Sequence, residues 1–185
     1  AYAGMWLLAL LPLKILYILS DVLCFLLYRV VHYRLRTVRT NLKNSFPEKD
    51  KTELREIERK FYQYLCDYML EEIKLMGISF EELCRRMEYE NKEIFLDMIE
   101  KYGGIILLIP HYANFEWIIG MGAIMRKGDL PVQVYKPLQN KYLDELFRVI
   151  RSRFGGYNVP KHSTAREVIK LRNEGKRIVL GLITD

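Results

Sequence analysis

Hydrophobic and polar positions divide the chain into a greasy leader and a patterned remainder. Residues 5–31 are nearly continuous in apolar side chains, broken by Pro12, Lys14 and Asp21. The run has the length of a membrane span, which takes ~20 mostly apolar residues, but the two charges and the proline spoil it as one clean helix. It reads as a membrane-embedded or interfacial helical anchor. His32 to Arg36, with Arg29 and Arg39, places a basic cluster directly behind it, as juxtamembrane segments facing anionic headgroups do. Residues 44–50 form a turn. From Leu54 to Met76, apolar residues then recur every three or four positions, which predicts one amphipathic helix over 52–76, capped by Asp50 or Thr52 and ended by Gly77. Ser79 with Glu82 has capping-box spacing for a short helix, and residues 90–102 form another, closed by Gly103-Gly104.

Beyond that glycine pair the period changes. Ile105 to Ile109 is a five-residue apolar run ended by Pro110, long enough for a buried strand and short for a lone core helix. Phe115 to Met125 reads as a mainly apolar helix with Asn114 at its start. Pro131 to Tyr135 is a second strand, 140–153 a helix, and Tyr157 to Pro160 a short extended piece. A helix capped by Ser163 or Thr164 runs to Asn173 and stops at Gly175, and 178–183 is a third buried strand. This β-α-β-α-β order predicts an α/β fold. Membrane-associated helices at the amino terminus precede a largely parallel β-sheet flanked by helices and joined by right-handed crossovers. The domain reading is an anchor with basic flank over 1–36 and a second domain over 37–185. Because the sequence stops at Asp185, just past a strand, its carboxyl-terminal part is expected to be missing.

Charge and cysteine content narrow the partners. With 29 Lys+Arg against 23 Asp+Glu, the formal net charge is +6, which suits anionic lipid or phosphorylated substrate. Nucleic acid is not expected, since neither zinc-finger spacing nor a ribonucleoprotein motif occurs. Cys24, Cys66 and Cys84 are scattered and odd in number, arguing against a disulfide framework. His32 and His162 have no nearby co-ligands, so no metal site and no bound cofactor are expected.

The candidate chemistry sits at the end of the first strand. His111 follows Pro110, and Glu116 lies five positions on. On one regular helix five positions rotate a side chain by roughly 140°, so the pair would diverge. With His111 in the turn and Glu116 in the first helical turn, the two can converge. A carboxylate on one ring nitrogen then leaves the other to take a proton from a hydroxyl. The alternative is a capping histidine beside a solvated glutamate favoured by the helix dipole. Open α/β sheets hold their ligands at this carboxyl end of the strands.

Five blocks together resemble the lipid A late acyltransferases (lauroyl and myristoyl transferases), within the wider glycerophosphate-type acyltransferases. They are Pro12 in the apolar leader; Arg39 with Asn41-Leu42 and Ser45-Phe46-Pro47-Glu48; His111-Tyr112-Ala113-Asn114-Phe115-Glu116; Val134 to Asn140; and Gly175 with 178–183 and Asp185. Ala113 stands where the family has glycine, Phe115 where it has tryptophan, and Lys136 where arginine is commoner. The resemblance implies a glycerophosphate acyltransferase-like fold and transfer of a fatty acyl chain from an acyl thioester, on acyl carrier protein or coenzyme A, to a hydroxyl of an anionic glycolipid such as a lipid A precursor. His111 would be the general base, oriented by Glu116. Asn114, Lys136, Asn140, Arg166 and Asp185 are the substrate-binding candidates, although Asn114 and Asn140 also suit helix caps. The implied place is the cytoplasmic face of the bacterial inner membrane, with membrane lipid and acyl carrier protein as partners. The rival readings are another lipid acceptor (a glycerolipid, phosphatidylinositol mannoside or amino-acid lipid), a thioesterase, and a non-enzymatic membrane-binding protein.

Overall fold

The long amphipathic helix organises the amino-terminal third. A computed structural model describes residues 2–184. Its chain divides into two compact units, Ala1–Ile78 and Ser79–Asp185. In the first, α1 (Tyr2–Leu10), α2 (Leu13–Phe25) and α3 (Leu35–Ser45) all pack on α4 (Lys51–Lys74). Pro12 separates α1 from α2, and α2 runs on as a π-helical stretch, Leu26–Val30. His32 and Arg34 then take left-handed backbone conformations, at φ 54° and 52°, and the chain turns by 91° into α3. Among the described residues no single helix is long and apolar enough to cross a membrane; Leu13–Val30 and Leu35–Ser45 qualify only together, as a bent pair.

Of the two predicted caps for α4, Asp50 is the one used. Its carboxylate accepts from the Thr52 and Glu53 amides at 2.7 and 2.9 Å, and Glu53 returns a bond to the Asp50 amide at 3.0 Å. The far end departs from the sequence reading. Gly77 is not in the left-handed conformation of a helix-ending glycine; it is small because α1 passes close by, and a Cβ there would lie 2.7 Å from the Ala9 carbonyl oxygen. The buried Lys74 ammonium donates to the carbonyls of Ala9 and Leu11 at 3.1 and 2.9 Å, using acceptors that the end of α1 and the break before Pro12 leave open. The α2–α4 seam buries Leu16, Cys24, Tyr62 and Cys66, with Tyr28 stacked on Tyr62. Burial lifts the Cys66 thiol to about 12, which suits a packing side chain rather than a nucleophile.

The second unit opens with α5 (Phe80–Arg86) and α6 (Lys92–Tyr102) and is built on β1 (Gly104–Pro110), β2 (Asp129–Tyr135), β3 (Tyr157–Pro160) and β4 (Arg177–Thr184). All strand pairs are parallel, in the order β1-β4-β2-β3. The predicted parallel sheet is therefore present, with helices around it. The short extended piece is a fourth strand, and β4 inserts between β1 and β2. Leu96 and Ile99 of α6 pack with Met121 and Val179 in one core cluster. Leu171 of α8 (Thr164–Asn173) packs with Val132, Val159 and Ile178 in another. β1 is an edge strand, and its Ile106 and Leu108 are 64% and 63% exposed.

Two local expectations are corrected. The segment after Asn114 is a 3-10 helix, Phe115–Ala123, rather than an α-helix to Met125. Within it, backbone packs on backbone at Gly122, where a Cβ would fall 1.7 Å from the Phe154 carbonyl oxygen. Neither Ser163 nor Thr164 caps α8 through its side chain. Ser163 Oγ turns back to donate to the Pro160 carbonyl at 3.1 Å.

Candidate active site

A parallel sheet brings the carboxyl ends of all its strands to one edge, and the candidate residues are distributed along it. His111 leaves β1 and Lys136 leaves β2. With β4 between them, the chain at these two points emerges two strand spacings apart, ~9–10 Å. Both side chains are exposed. Arg166 is exposed in the first turn of α8, the helix after β3. Asp185 lies outside the described residues.

The turn that carries His111 is tight. Pro110 ends β1, and the Tyr112 amide bonds back to the Pro110 carbonyl at 2.8 Å. Ala113 then takes a left-handed conformation, φ 48°, and the 3-10 helix begins. The Phe115 ring meets the His111 imidazole edge-on, with centroids 5.2 Å apart, giving the histidine a side wall. Asn114 occupies the N-cap position, but its side chain makes no capping bond, so the cap favoured from sequence is not formed; its backbone carbonyl accepts from the Trp117 amide at 3.2 Å. Asn140 does cap. Its Oδ1 accepts from the amides of Tyr142 and Leu143 at 3.0 and 3.2 Å, starting α7 (Lys141–Ser152).

Glu116 is buried, 9% exposed, and so needs a partner. Arg151, near the end of α7, provides one as a fork. Its Nε donates to Oε2 at 2.9 Å and its Nη2 to Oε1. The fork is largely sealed, with the two side chains 19% and 11% exposed. Arg151 was not singled out in the sequence, because it is 35 positions from Glu116 and one of 29 basic residues. The available signal was the inward face of α7, where Leu146 and Ile150 are buried. An ionised carboxylate has about four acceptor positions. A bidentate arginine fills two and holds the group rigid, with capacity left for an imidazole N–H.

The family model for bacterial lipid A biosynthesis acyltransferases matches residues 1–185. The chain belongs to this family. No curated protein matches it. Membership makes it an acyltransferase of lipid A biosynthesis. The backbone at position 113 is left-handed, a conformation that suits glycine and where an L-residue costs about 1–2 kcal/mol. The alanine of this lipid A acyltransferase is accommodated at that cost.

Proposed function

We propose that this chain moves a fatty acyl group from a thioester, on acyl carrier protein or coenzyme A, to a hydroxyl of a lipid A precursor, with His111 as general base. The observation carrying the reading is a clamped, buried carboxylate five positions after an exposed histidine at the carboxyl edge of a parallel sheet. His111 takes the acceptor's hydroxyl proton while Glu116 orients the ring and offsets the imidazolium charge. The alkoxide adds to the thioester carbonyl. Backbone N–H groups at the start of the 3-10 helix are the candidate donors to the tetrahedral oxyanion. Collapse expels the thiolate, which takes the proton back from His111, giving ester and free thiol. Arg151 is a positioning residue that acts through Glu116.

Lys136 and Arg166, exposed at or near the same edge, suit phosphates or acidic sugars on the acceptor; Asn114 and Asn140, the latter through its amide N–H, are further contacts. A basic surface also favours an acidic carrier protein. The exposed apolar side chains of α1 and α2, with the basic residues behind them, support attachment at the cytoplasmic face of the bacterial inner membrane. The reaction needs no metal or bound cofactor.

The test supplies labelled acyl thioester to the full chain in detergent, with and without a tetra-acylated lipid A precursor. Label appearing in the glycolipid is expected. Thioester cleavage indifferent to the acceptor would replace the transferase reading with a thioesterase, and label entering only glycerolipid would replace the acceptor.

A further inference from the structure

A 3-10 helix repeats every three residues, so the side chains of Phe115–Ala123 stand in three rows, and each row meets a different element. Phe115, Ile118 and Met121 form the row toward the sheet. There Met121 is buried against Val179 of β4, and Ile118 packs on the same cluster. Glu116, Ile119 and Gly122 form the row toward α7 and the turn after it, met by the Arg151 fork and by the Phe154 carbonyl. Trp117, Gly120 and Ala123 form the row toward α5, where a Cβ at Gly120 would lie 3.1 Å from the Leu83 side chain. The helix is thus keyed on three sides. The half-buried ring at the head of its sheet-facing row is the one that meets His111, with centroids 5.2 Å apart and planes at 88°.

We propose that Phe115 is a positioning residue for acyl transfer: seated by its row, its ring holds the exposed His111 imidazole in the one rotamer from which it reaches the acceptor hydroxyl. This rests on His111 as the general base and says what keeps that base in place. The need follows from exposure. A histidine in water has three staggered χ1 wells and about two ring orientations in each, roughly six states in all. An edge-to-face ring contact favours its own geometry by a factor of roughly 2–10, enough to make one state dominant. The contact is dependable because the 3-10 helix is fixed on its other two rows as well, so Phe115 cannot follow the imidazole if it swings away. Without the ring the productive state falls back toward about one in six, which slows transfer by roughly three- to sixfold. That is far less than the ~10²–10⁴-fold set by removal of a general base, so the two effects are separable by size.

The test measures kcat and KM for the full chain in detergent, with labelled acyl thioester and a tetra-acylated lipid A precursor. Phe115→Leu removes the ring. Phe115→Met does so with a more pliant side chain, for use where the leucine variant does not fold, and Phe115→Tyr returns a ring. The expected result is a three- to sixfold lower kcat for the first two, KM within about twofold for both substrates, unchanged melting, and recovery by tyrosine. Placed in a His111→Ala background, Phe115→Leu should leave the residual rate where it is, because the ring acts only through the imidazole. A readout independent of activity comes from labelled histidine: the chain has three imidazoles, and an Overhauser contact from His111 to the ring at 115 should survive in the tyrosine variant. Wild-type kcat in a folded leucine or methionine variant would overturn the proposal, as would a tyrosine variant as slow as the leucine one. A raised KM at unchanged kcat would make Phe115 a substrate contact instead. An equal fractional loss in the His111→Ala background would show that it acts on some other group. Wild-type transfer by folded His111→Ala would sink the base reading itself, and the Overhauser contact would tell that failure from a missing ring contact.

Discussion

The two units each contain an Arg–Glu fork of the same design, and the forks differ in what surrounds them. In the first unit Arg39 Nε and Nη2 donate to the two oxygens of Glu58 at 2.8 and 3.1 Å, and Tyr28 adds a third bond at 2.9 Å. Glu58 is buried, but Arg39 is 58% exposed at the side chain. That fork ties the end of α2's helical run and α3 onto α4. In the second unit both partners are covered, and the carboxylate follows a histidine at the sheet's carboxyl edge. The same pairing thus fastens helices in one place and holds a buried carboxylate beside the sheet's carboxyl edge in the other. Water reaches the first arginine and is largely kept from the second, so breaking the second should cost more, since an uncompensated buried charge is what makes such pairs expensive to break.

The largest effect is therefore expected for Arg151→Ala, about 3–5 kcal/mol of stability in the second unit, with acyl transfer falling even where the protein stays folded. Arg151→Lys should retain charge and lose the fork, giving an intermediate stability and a lower rate. Denaturant melts and kcat for the three proteins check this. Arg39→Ala should cost less, about 1–2 kcal/mol, because Tyr28 still serves Glu58 and the lost cation was half in water. Equal losses in the two variants would erase the contrast between the forks.

A pH series sharpens the comparison in the first unit. Burial pushes the Glu58 carboxyl up, but hydrogen bonds from Arg39 and Tyr28 outweigh it and hold the group below the ordinary glutamate range. A lowered folded value means that this stabilisation is fully present above the unfolded glutamate pKa, ~4.3, and is lost as pH falls through the lower folded value. Glu58→Gln should flatten that acid limb in thermal melts between neutral pH and pH ~3; an unchanged limb would remove Glu58 as its source. The smallest effect is a gain. Ala113→Gly should stabilise the second unit by about 1 kcal/mol, a rise of a few degrees in Tm, by relieving a left-handed alanine.

Sequence reasoning reached the elements more readily than their arrangement. β1, β2 and β4 were legible because short apolar runs lie between glycine and proline breaks, although one face of β1 is exposed at Ile106 and Leu108. β3 was harder to see, being four residues long and ending in Pro160. The insertion of β4 between β1 and β2 depends on long-range packing that no local pattern encodes. The 3-10 helix escaped because an apolar run of this length reads equally well as an α-helix, and its close backbone approach to Phe154 comes from 32 residues away. At the candidate site, His111 and Glu116 stood out by type and spacing. Their surroundings did not: Arg151 reaches Glu116 from a distant helix, and Phe115 could be a core residue as easily as a wall for the imidazole. In the leader, Lys14 and Asp21 looked like interruptions of a span. In the fold, Asp21 is bonded to Gln63 of α4 and Lys14 shares its side of α2.

The central claim is that His111 performs the proton transfer in acyl transfer. The most direct measurement compares single-turnover transfer to a lipid A precursor by wild type and His111→Ala, with circular dichroism and melts showing that both are folded. A loss of about 10²–10⁴-fold with unchanged melting is expected for removal of a general base. Transfer by folded His111→Ala at the wild-type rate would contradict it.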